Sequence, residues 1–259
     1  LRGIVLDLDG TLLNAEKRVS DRNLKALLAC RERGMRIIVA TGRPPRSVRM
    51  LLPAELTEGA SFVYYNGALV ADEAAGIASH TPIEPTMVEE IIGHCMERQT
   101  GEMMISVEVR DRIYANREIG DLAFYSKWNQ PTVCTGDELK RLPATKILLS
   151  EFGDAAERLR AAFAGKTRLI VTDGGRLIQI MHASVSKASG VLMLCEHYGI
   201  RAAELFAFGD DHNDLELFGM SAHAVAMGNA VDELKALAVE VTDTNDNDGV
   251  AQVLERWLG

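Results

Sequence analysis

Short runs made almost wholly of apolar residues alternate with amphipathic stretches of helical period at both ends of the chain, and this rhythm constrains the fold more than any other feature of the sequence. A strand that is apolar on both faces must be covered on both faces, which is the situation of a parallel sheet whose crossovers are helices. The first strand is expected at Gly3 to Leu8. Ser20 then caps a helix with Leu24, Leu27 and Leu28 on one face and a stop at Gly34, and Met35 to Ala40 form the second strand. Ser61 to Tyr65 and Ala68 to Ala71 flank Asn66-Gly67, a dipeptide suited to the positive φ values of a type I′ hairpin turn. The rhythm resumes at Ser186 with a helix to Tyr198, a strand from Leu205 to Phe208, a helix from Asp214, short strands at Ala224 to Met227 and Val239 to Val241, and a last helix to Trp257. The expected fold class is α/β, a Rossmann-like doubly wound parallel-sheet core.

The middle of the chain breaks that pattern. A helix from Thr86 to about Arg98 ends before Gly101, and Met103 to Val109 and Arg112 to Asn116 alternate around a turn at Arg110-Asp111, as antiparallel strands do. Thr145 to Ser150, a helix from about Ala155 to Ala164, and a strand pair, Arg168 to Thr172 and Arg176 to Met181, turning at Asp173-Gly174-Gly175, complete an α+β insertion. The core is therefore expected to be discontinuous, residues 1–82 and 186–259, with the inserted domain at 83–185.

A length of 259 residues allows one or two domains with a sizeable core and no need for disulfides or structural metal. With 28 Lys and Arg against 37 Asp and Glu, the formal net charge of −9 repels nucleic-acid backbones and anionic membrane surfaces, so an anionic ligand must be captured by local groups. Apolar runs such as Ile37-Ile38-Val39-Ala40 and Val191-Leu192-Met193-Leu194-Cys195 are far shorter than the roughly 18 residues of a membrane span. Residue 1 is Leu, which suggests a trimmed initiator, and Arg2-Gly3 leads into a strand rather than a signal peptide. Cys30, Cys95, Cys134 and Cys195 are widely spaced and suit reduced thiols in a cytoplasm.

The chemistry-bearing residues gather at strand ends. Asp7-Leu8-Asp9-Gly10-Thr11-Leu12 sits at the C-terminal end of the first strand, where open parallel sheets bind ligands. Two carboxylates so close repel, and a divalent cation with all-oxygen ligation, Mg²⁺ by preference, keeps both useful near neutral pH. Gly209-Asp210-Asp211-His212-Asn213-Asp214 follows another apolar strand and opens a helix at the same sheet edge. Thr41-Gly42-Arg43 follows the second strand, and Lys187 starts a helix; a hydroxyl, a glycine N–H and cations are what a phosphate requires.

In this order the residues resemble the haloacid dehalogenase superfamily of aspartate-nucleophile phosphotransferases, with Asp7 and Asp9 in the first motif, Thr41 in the second, Lys187 in the third, and Asp210 and Asp214 in the fourth. A roughly 100-residue α+β cap between the second and third motifs, together with Ala40-Thr41-Gly42-Arg43 and Asn66-Gly67, looks like the Cof-type (IIB) subfamily, and the likeness covers essentially the whole chain. The resemblance implies that Asp7 is the nucleophile, Asp9 the general acid and base, and Thr41, Gly42, Arg43, Lys187 and Asn213 the phosphate-binding groups. It implies Mg²⁺ held by Asp7, the Asp9 main-chain carbonyl and Asp210, with Asp214 as a ligand or as a partner of the ligands.

The expected activity is a Mg²⁺-dependent phosphohydrolase that removes phosphate from a small phosphorylated metabolite, a sugar phosphate or phosphorylated cofactor, through an aspartyl phosphate. The cap, closing over the sheet edge, would select the substrate, and the protein would be cytoplasmic, a monomer or homodimer without nucleic-acid or membrane partners. A sugar phosphomutase is the alternative that cationic residues of the insert would serve, among them Arg110, Arg112, Arg117, Lys127, Lys140 and Arg141. A phospho-receiver signalling module is another, although it needs neither a cap nor the acid at Asp9. Some residues read two ways: Asn66-Gly67 as hairpin turn or substrate contact, Arg43 as anion ligand or ion-pair partner, His182 as substrate contact or hinge, and Asn229 as active-site loop or helix cap. His212 lacks metal-ligand spacing, and Asn245 to Gly249 is a polar turn into the last helix.

Overall fold

In the computed structural model, which describes residues 1–97, 103–118, 130–150, 152–153, 155–172 and 175–259, the first apolar run becomes β1 (Gly3–Leu6), buried throughout. The expected helix end at Arg98, Gly101, the cation Lys127 and the turn residues Asp173-Gly174 lie outside the described residues. Ser20 caps α1 (Asp21–Glu32), its hydroxyl accepting from the Asn23 N–H, and Gly34 follows the helix with φ +85°. Its buried face is Asn23, Ala26, Leu27 and Cys30, so Leu24 and Leu28 flank the core instead of forming it. β2 (Arg36–Ala40), α2 (Pro45–Leu51), α3 (Ala54–Thr57), β3 (Ser61–Tyr64), β4 (Leu69–Asp72) and β5 (Ile77–His80) follow.

The hairpin between β3 and β4 differs from the expected two-residue turn. Tyr64 pairs with Leu69, and the intervening loop carries Tyr65, Asn66 and Gly67 all at positive φ (51°, 53° and 106°). A bulky Tyr pays steric energy there, of order 1–3 kcal/mol, and such strain persists only where the surroundings hold it; Tyr65 is fully buried.

The middle of the chain forms α4 (Pro85–Glu97), β6 (Met104–Val109), β7 (Arg112–Ala115), β8 (Thr132–Val133), α5 (Gly136–Leu139), β9 (Lys146–Ser150), α6 (Ala155–Phe163), β10 (Thr167–Thr172) and β11 (Leu177–His182). The chain then returns through α7 (Lys187–Tyr198), β12 (Leu205–Gly209), α8 (Leu215–Met220), β13 (His223–Ala226), α9 (Asp232–Leu237), β14 (Glu240–Val241) and α10 (Gly249–Leu258). Two compact units result, one of residues 1–79 and 186–259, the other of residues 80–185.

The first unit holds an eight-stranded sheet in the order β14-β13-β12-β1-β2-β3-β4-β5, parallel from β14 to β3. The chain builds outward from β1 through β2 and β3 on one side, then through β12, β13 and β14 on the other. The order therefore reverses between β1 and β12, the crevice where open α/β sheets bind ligands. Leu6 stands level with Val39 and Phe208, so Asp7, Thr41 and Asp210 all follow at one sheet edge. The second unit is a six-stranded sheet, β10-β11-β9-β6-β7-β8. Its apolar side chains, Val107, Ile147, Leu149 and Ile180 among them, pack in one cluster with Ile91, Ile92 and Leu159 of α4 and α6. The four cysteines are free thiols, and among the described residues no helix is long and apolar enough to cross a membrane.

Candidate active site

Asp7 leaves β1 with its carboxylate buried, and its partner is a lysine from the far end of the sequence. Lys187 Nζ lies 2.7 Å from Asp7 Oδ1 and 2.7 Å from Asp214 Oδ1, with its side chain wholly removed from solvent. Lys187 is the first residue of α7, where a cation opposes the helix dipole, so local preference does not explain it. The cap explains how it is held: Ser186 Oγ accepts from the Ser189 N–H (3.1 Å), and Ser189 Oγ accepts from the Ser186 N–H (2.9 Å). The left-handed loop after β3 comes up against this helix start, and a Cβ on Gly67 would stand 2.2 Å from the Ser186 carbonyl oxygen.

The fourth acidic motif folds back onto the same point. Asp214 is fully buried; its Oδ1 meets Lys187, and its Oδ2 accepts from the N–H groups of Asp210 (3.1 Å) and Asp211 (3.3 Å). Asp210 Oδ1 accepts from the Thr11 hydroxyl at 2.9 Å. Gly10, at φ +76°, makes room for this carboxylate, since a Cβ there would lie 2.2 Å from Asp210 Oδ2.

Asp7, Asp210 and Asp214 each bring one carboxylate oxygen within 4.8 Å of the others. Three carboxylates share one ammonium, leaving an excess of negative charge in a setting of oxygen donors. That donor set fits a hard divalent cation. The electrostatics agree: burial pushes Asp7 well above the ordinary carboxylate range, opposed by Lys187 and reinforced by Asp214 and Asp210. Asp210 is pushed up to about 6 by burial and by the charge of Asp214, against the Thr11 hydrogen bond and Lys187. Burial works to lower Lys187, but Asp214 and Asp7 outweigh it and hold the ammonium protonated.

Asp9, two residues on, sits in the opposite environment. Arg43 grips both of its oxygens, Nε to Oδ2 at 2.5 Å and Nη2 to Oδ1 at 2.6 Å, and Lys17 Nζ adds a third contact at 2.8 Å. Burial would raise the Asp9 carboxyl, but Arg43 and then Lys17 overcome it and hold it at about 2. Of the two readings open for Arg43, this is the ion pair. Its Nη1 also donates to Ser47 Oγ of α2 at 2.9 Å.

The remaining candidates frame this centre. Thr41 is buried; its N–H donates to the Val63 carbonyl, its Oγ1 accepts from the Arg43 N–H (3.1 Å), and its carbonyl accepts from the Asn66 N–H (2.9 Å). Gly42 lies against the Asn66 carboxamide, whose Nδ2 would stand 3.3 Å from a Cβ on that glycine. Asn213 Nδ2 donates to Asn66 Oδ1 at 3.1 Å, and Asn213 Oδ1 is buried without a hydrogen-bond partner among the described residues. Asn229 does not cap a helix: its Nδ2 donates to the Gly10 carbonyl (2.8 Å), and its Oδ1 accepts from the Asn245 N–H (3.1 Å). The polar turn before α10 is tied in as well, through Asn245 Nδ2 to the Leu13 carbonyl and the Ala15 N–H to Asp246 Oδ1. His212 is exposed beside Asp211, and His182, in the second unit, pairs with Ser184. Lys140, one of the cations considered for a second phosphate, pairs with Asp137.

Thr11, Lys17 and Ser47 have contacts here that sequence reasoning did not assign. A Thr after a glycine, a Lys in a polar loop and a Ser in a helix's first turn carry no signal of their own; only the Asp spacing around them could have directed attention there.

Known proteins match this chain over most of its length. The family model described as haloacid dehalogenase-like hydrolase matches residues 4–254. The chain is 30% identical to the 5-amino-6-(5-phospho-D-ribitylamino)uracil phosphatase YitU of Bacillus subtilis, over 98% of this chain and 97% of that protein. It is 28% identical to the HMP-PP phosphatase of Serratia proteamaculans, over 97% and 93% of the two chains. Among solved structures, a haloacid dehalogenase-like hydrolase from Bacteroides thetaiotaomicron superposes with a TM-score of 0.82 at 29% identity, over 99% of both chains.

Proposed function

The chain belongs to the haloacid dehalogenase-like hydrolase family, and from that premise we propose that it is a phosphatase that releases inorganic phosphate from a small phosphorylated metabolite through an aspartyl phosphate. The observation that carries this reading is the pair Asp7 and Asp9, two residues apart at one strand end, in surroundings of opposite charge. Asp7 stands against the Lys187 ammonium at the strand end, where a phosphoryl group would meet nucleophile and cation together.

Asp7 is the nucleophile. One of its carboxylate oxygens forms a bond to phosphorus while the bond to the ester oxygen breaks; that oxygen keeps the electron pair and takes a proton from Asp9, which is ionised in its pair with Arg43 and Lys17 and takes that proton up from solvent when the substrate draws the two cations away. Asp9, now ionised, removes a proton from a water molecule whose oxygen attacks phosphorus, and Asp7 is freed as phosphate departs. Lys187 Nζ, already against Asp7, balances the charge of the phosphoryl oxygens, and Thr41 and the N–H of Gly42 contact them. Asn213, held by Asn66, orients the phosphoryl group or the nucleophile. A Mg²⁺ ion held by Asp7, the Asp9 main-chain carbonyl and Asp210 would supply further neutralisation of that charge. Both oxygens of Asp214 are engaged by Lys187 and by backbone N–H groups, so its part is to aim Lys187 and the Asp210 backbone.

The named relatives act on small phosphorylated compounds, which supports a substrate of that size for this chain. Selection of the part beyond the phosphate is assigned to the inserted α+β domain. The test is phosphate release from a panel of sugar phosphates, nucleotides, pyridoxal phosphate and p-nitrophenyl phosphate, with Mg²⁺ and with chelator, for the wild type and Asp7→Asn. Turnover that needs the metal and is lost in Asp7→Asn is expected. A folded protein that binds Mg²⁺ and releases nothing from any of these esters overturns the proposal.

A further inference from the structure

The hairpin between β3 and β4 does not take the least strained turn open to it. Asn66-Gly67 could close it alone, yet the backbone carries Tyr65 into the left-handed region as well, and both Tyr65 and Asn66 are buried. Strain held in place around a bulky residue points to a function for the segment that carries it. This loop touches three distant segments of the chain. The N–H groups of Asn66 and Tyr65 donate to the carbonyls of Thr41 (2.9 Å) and Arg43 (3.3 Å), on either side of Gly42. The Asn66 carboxamide lies against Gly42 itself, and its oxygen accepts from Asn213 Nδ2 at 3.1 Å. Gly67 comes up against the Ser186 carbonyl, one residue before Lys187. One side chain thus joins Thr41, Gly42 and Asn213, while Asp7 is paired with Lys187. Asparagine suits the place: it tolerates positive φ better than most side chains, its oxygen can accept from Asn213, and it brings no charge beside a phosphate. We propose that Asn66 is a positioning residue for the phosphoryl group, fixing where the phosphate sits through the Thr41-Gly42 turn and Asn213, whatever the leaving group. This deepens the phosphatase reading and rests on it, and of the two roles left open for Asn213 it assigns the phosphate.

The test is made on the Mg²⁺-loaded enzyme. It reads the inhibition constant of inorganic phosphate, beside kcat and KM for p-nitrophenyl phosphate and for the best sugar phosphate of the panel. Asn66→Gly is the variant, because glycine takes the left-handed conformation without strain and only the side chain is lost. The inhibition constant is expected to rise about tenfold, the order expected when hydrogen bonds that serve a charged group are removed. With it, kcat/KM should fall by a similar factor on both esters. Asn213→Ala should do the same. The double variant should lose much less than the product of the two single losses, since both substitutions break one hydrogen bond.

A purely structural role predicts something else: Asn66→Gly lowers the thermal midpoint and leaves the phosphate inhibition constant unchanged, which would overturn the inference. A fall in kcat with that constant and KM unchanged would assign the two asparagines to the nucleophile and overturn it as well. If Asn66→Gly does not fold, Asn213→Ala decides on the same constant, and an unchanged value overturns the inference. A wild type that releases no phosphate, or keeps its turnover in Asp7→Asn, brings down the phosphatase reading and this inference with it. A wild type whose turnover needs Asp7, but whose phosphate binding is indifferent to Asn66, brings down the inference alone.

Discussion

Asp7 and Asp9 are two residues apart, yet they occupy regions of opposite character. Around Asp7 three carboxylates gather about one ammonium; Asp7, Asp214 and Lys187 are buried and Asp210 is half-buried. Around Asp9 the carboxylate is partly open, and one acid is shared by two cations, Arg43 and Lys17. The reason is geometric: strand alternation would put residues two apart on one face, but β1 ends at Leu6, and the loop that follows, with Gly10 in the left-handed region, turns Asp7 to Lys187 and Asp9 to Arg43 in the loop after β2. The lesson is that like residues so close in sequence need not be equivalent, because the elements that flank the strand set the charge each one meets.

The largest expected effect breaks the Asp7 side. Asp7→Asn should reduce phosphate release by at least about 10⁴-fold, since no other group replaces the nucleophile. It should also raise the thermal midpoint in chelator, because it removes a buried carboxylate crowded by two others. Activity above about 1% of wild type in this variant would remove Asp7 from its proposed role. Asp9→Asn should cost about 10²–10⁴-fold in turnover of a sugar phosphate, and here stability should fall, because Arg43 and Lys17 lose their shared partner. Opposite signs of the two melting shifts are the sharpest check on the contrast, read from thermal unfolding of both variants under chelator.

Lys187→Met should destabilise the protein by about 3–5 kcal/mol, as it leaves Asp7 and Asp214 buried without a cation. Urea unfolding with and without Mg²⁺ measures it, and the loss should shrink when the metal is present. The pH response should divide the two regions again. Asp210 (about 6) and Asp7 bind protons more tightly folded than unfolded, so metal-free protein should gain stability as pH falls from about 7 to 5, and Mg²⁺ should abolish that gain. Asp9 binds its proton less tightly folded than unfolded, so its contribution is present above pH 4 and is lost as pH falls from about 4 to 2. Unfolding free energies across pH 2 to 7, with chelator and with Mg²⁺, would show both limbs; a metal-free protein that only loses stability below pH 7 would contradict the account of the acidic side.

The smallest effect tests the scaffold behind both acids. Asn229→Ala removes the bond to the Gly10 carbonyl and should cost about 0.5–1.5 kcal/mol, with turnover reduced only slightly. A loss of activity as large as that of Asp9→Asn would give Asn229 a direct part in the reaction.

The sequence by itself determined the sheet and the positions of the acids along it. Apolar runs, expected at Gly3 to Leu8 and Leu205 to Phe208 and observed as Gly3–Leu6 and Leu205–Gly209, mark buried strands; Asp7 and Asp210 follow the observed ends directly and Asp214 comes four residues later, so strand pattern and motif spacing were enough to place them at one edge. Lys187 was legible as a cation at an expected helix start, and its Ser186 cap came only with the structure. Only the tertiary structure decided the pairings. That Arg43 and Lys17 meet at Asp9, that Thr11 reaches Asp210, that Asn66 receives Asn213 and that Tyr65 sits in the left-handed region all depend on which strands lie side by side and in what register. Residues 199 positions apart, as Thr11 and Asp210 are, leave no periodicity in the chain to read. Local pattern reports the face a residue turns to the core, and the partner it meets is set by the packing of distant loops at the reversal between β1 and β12.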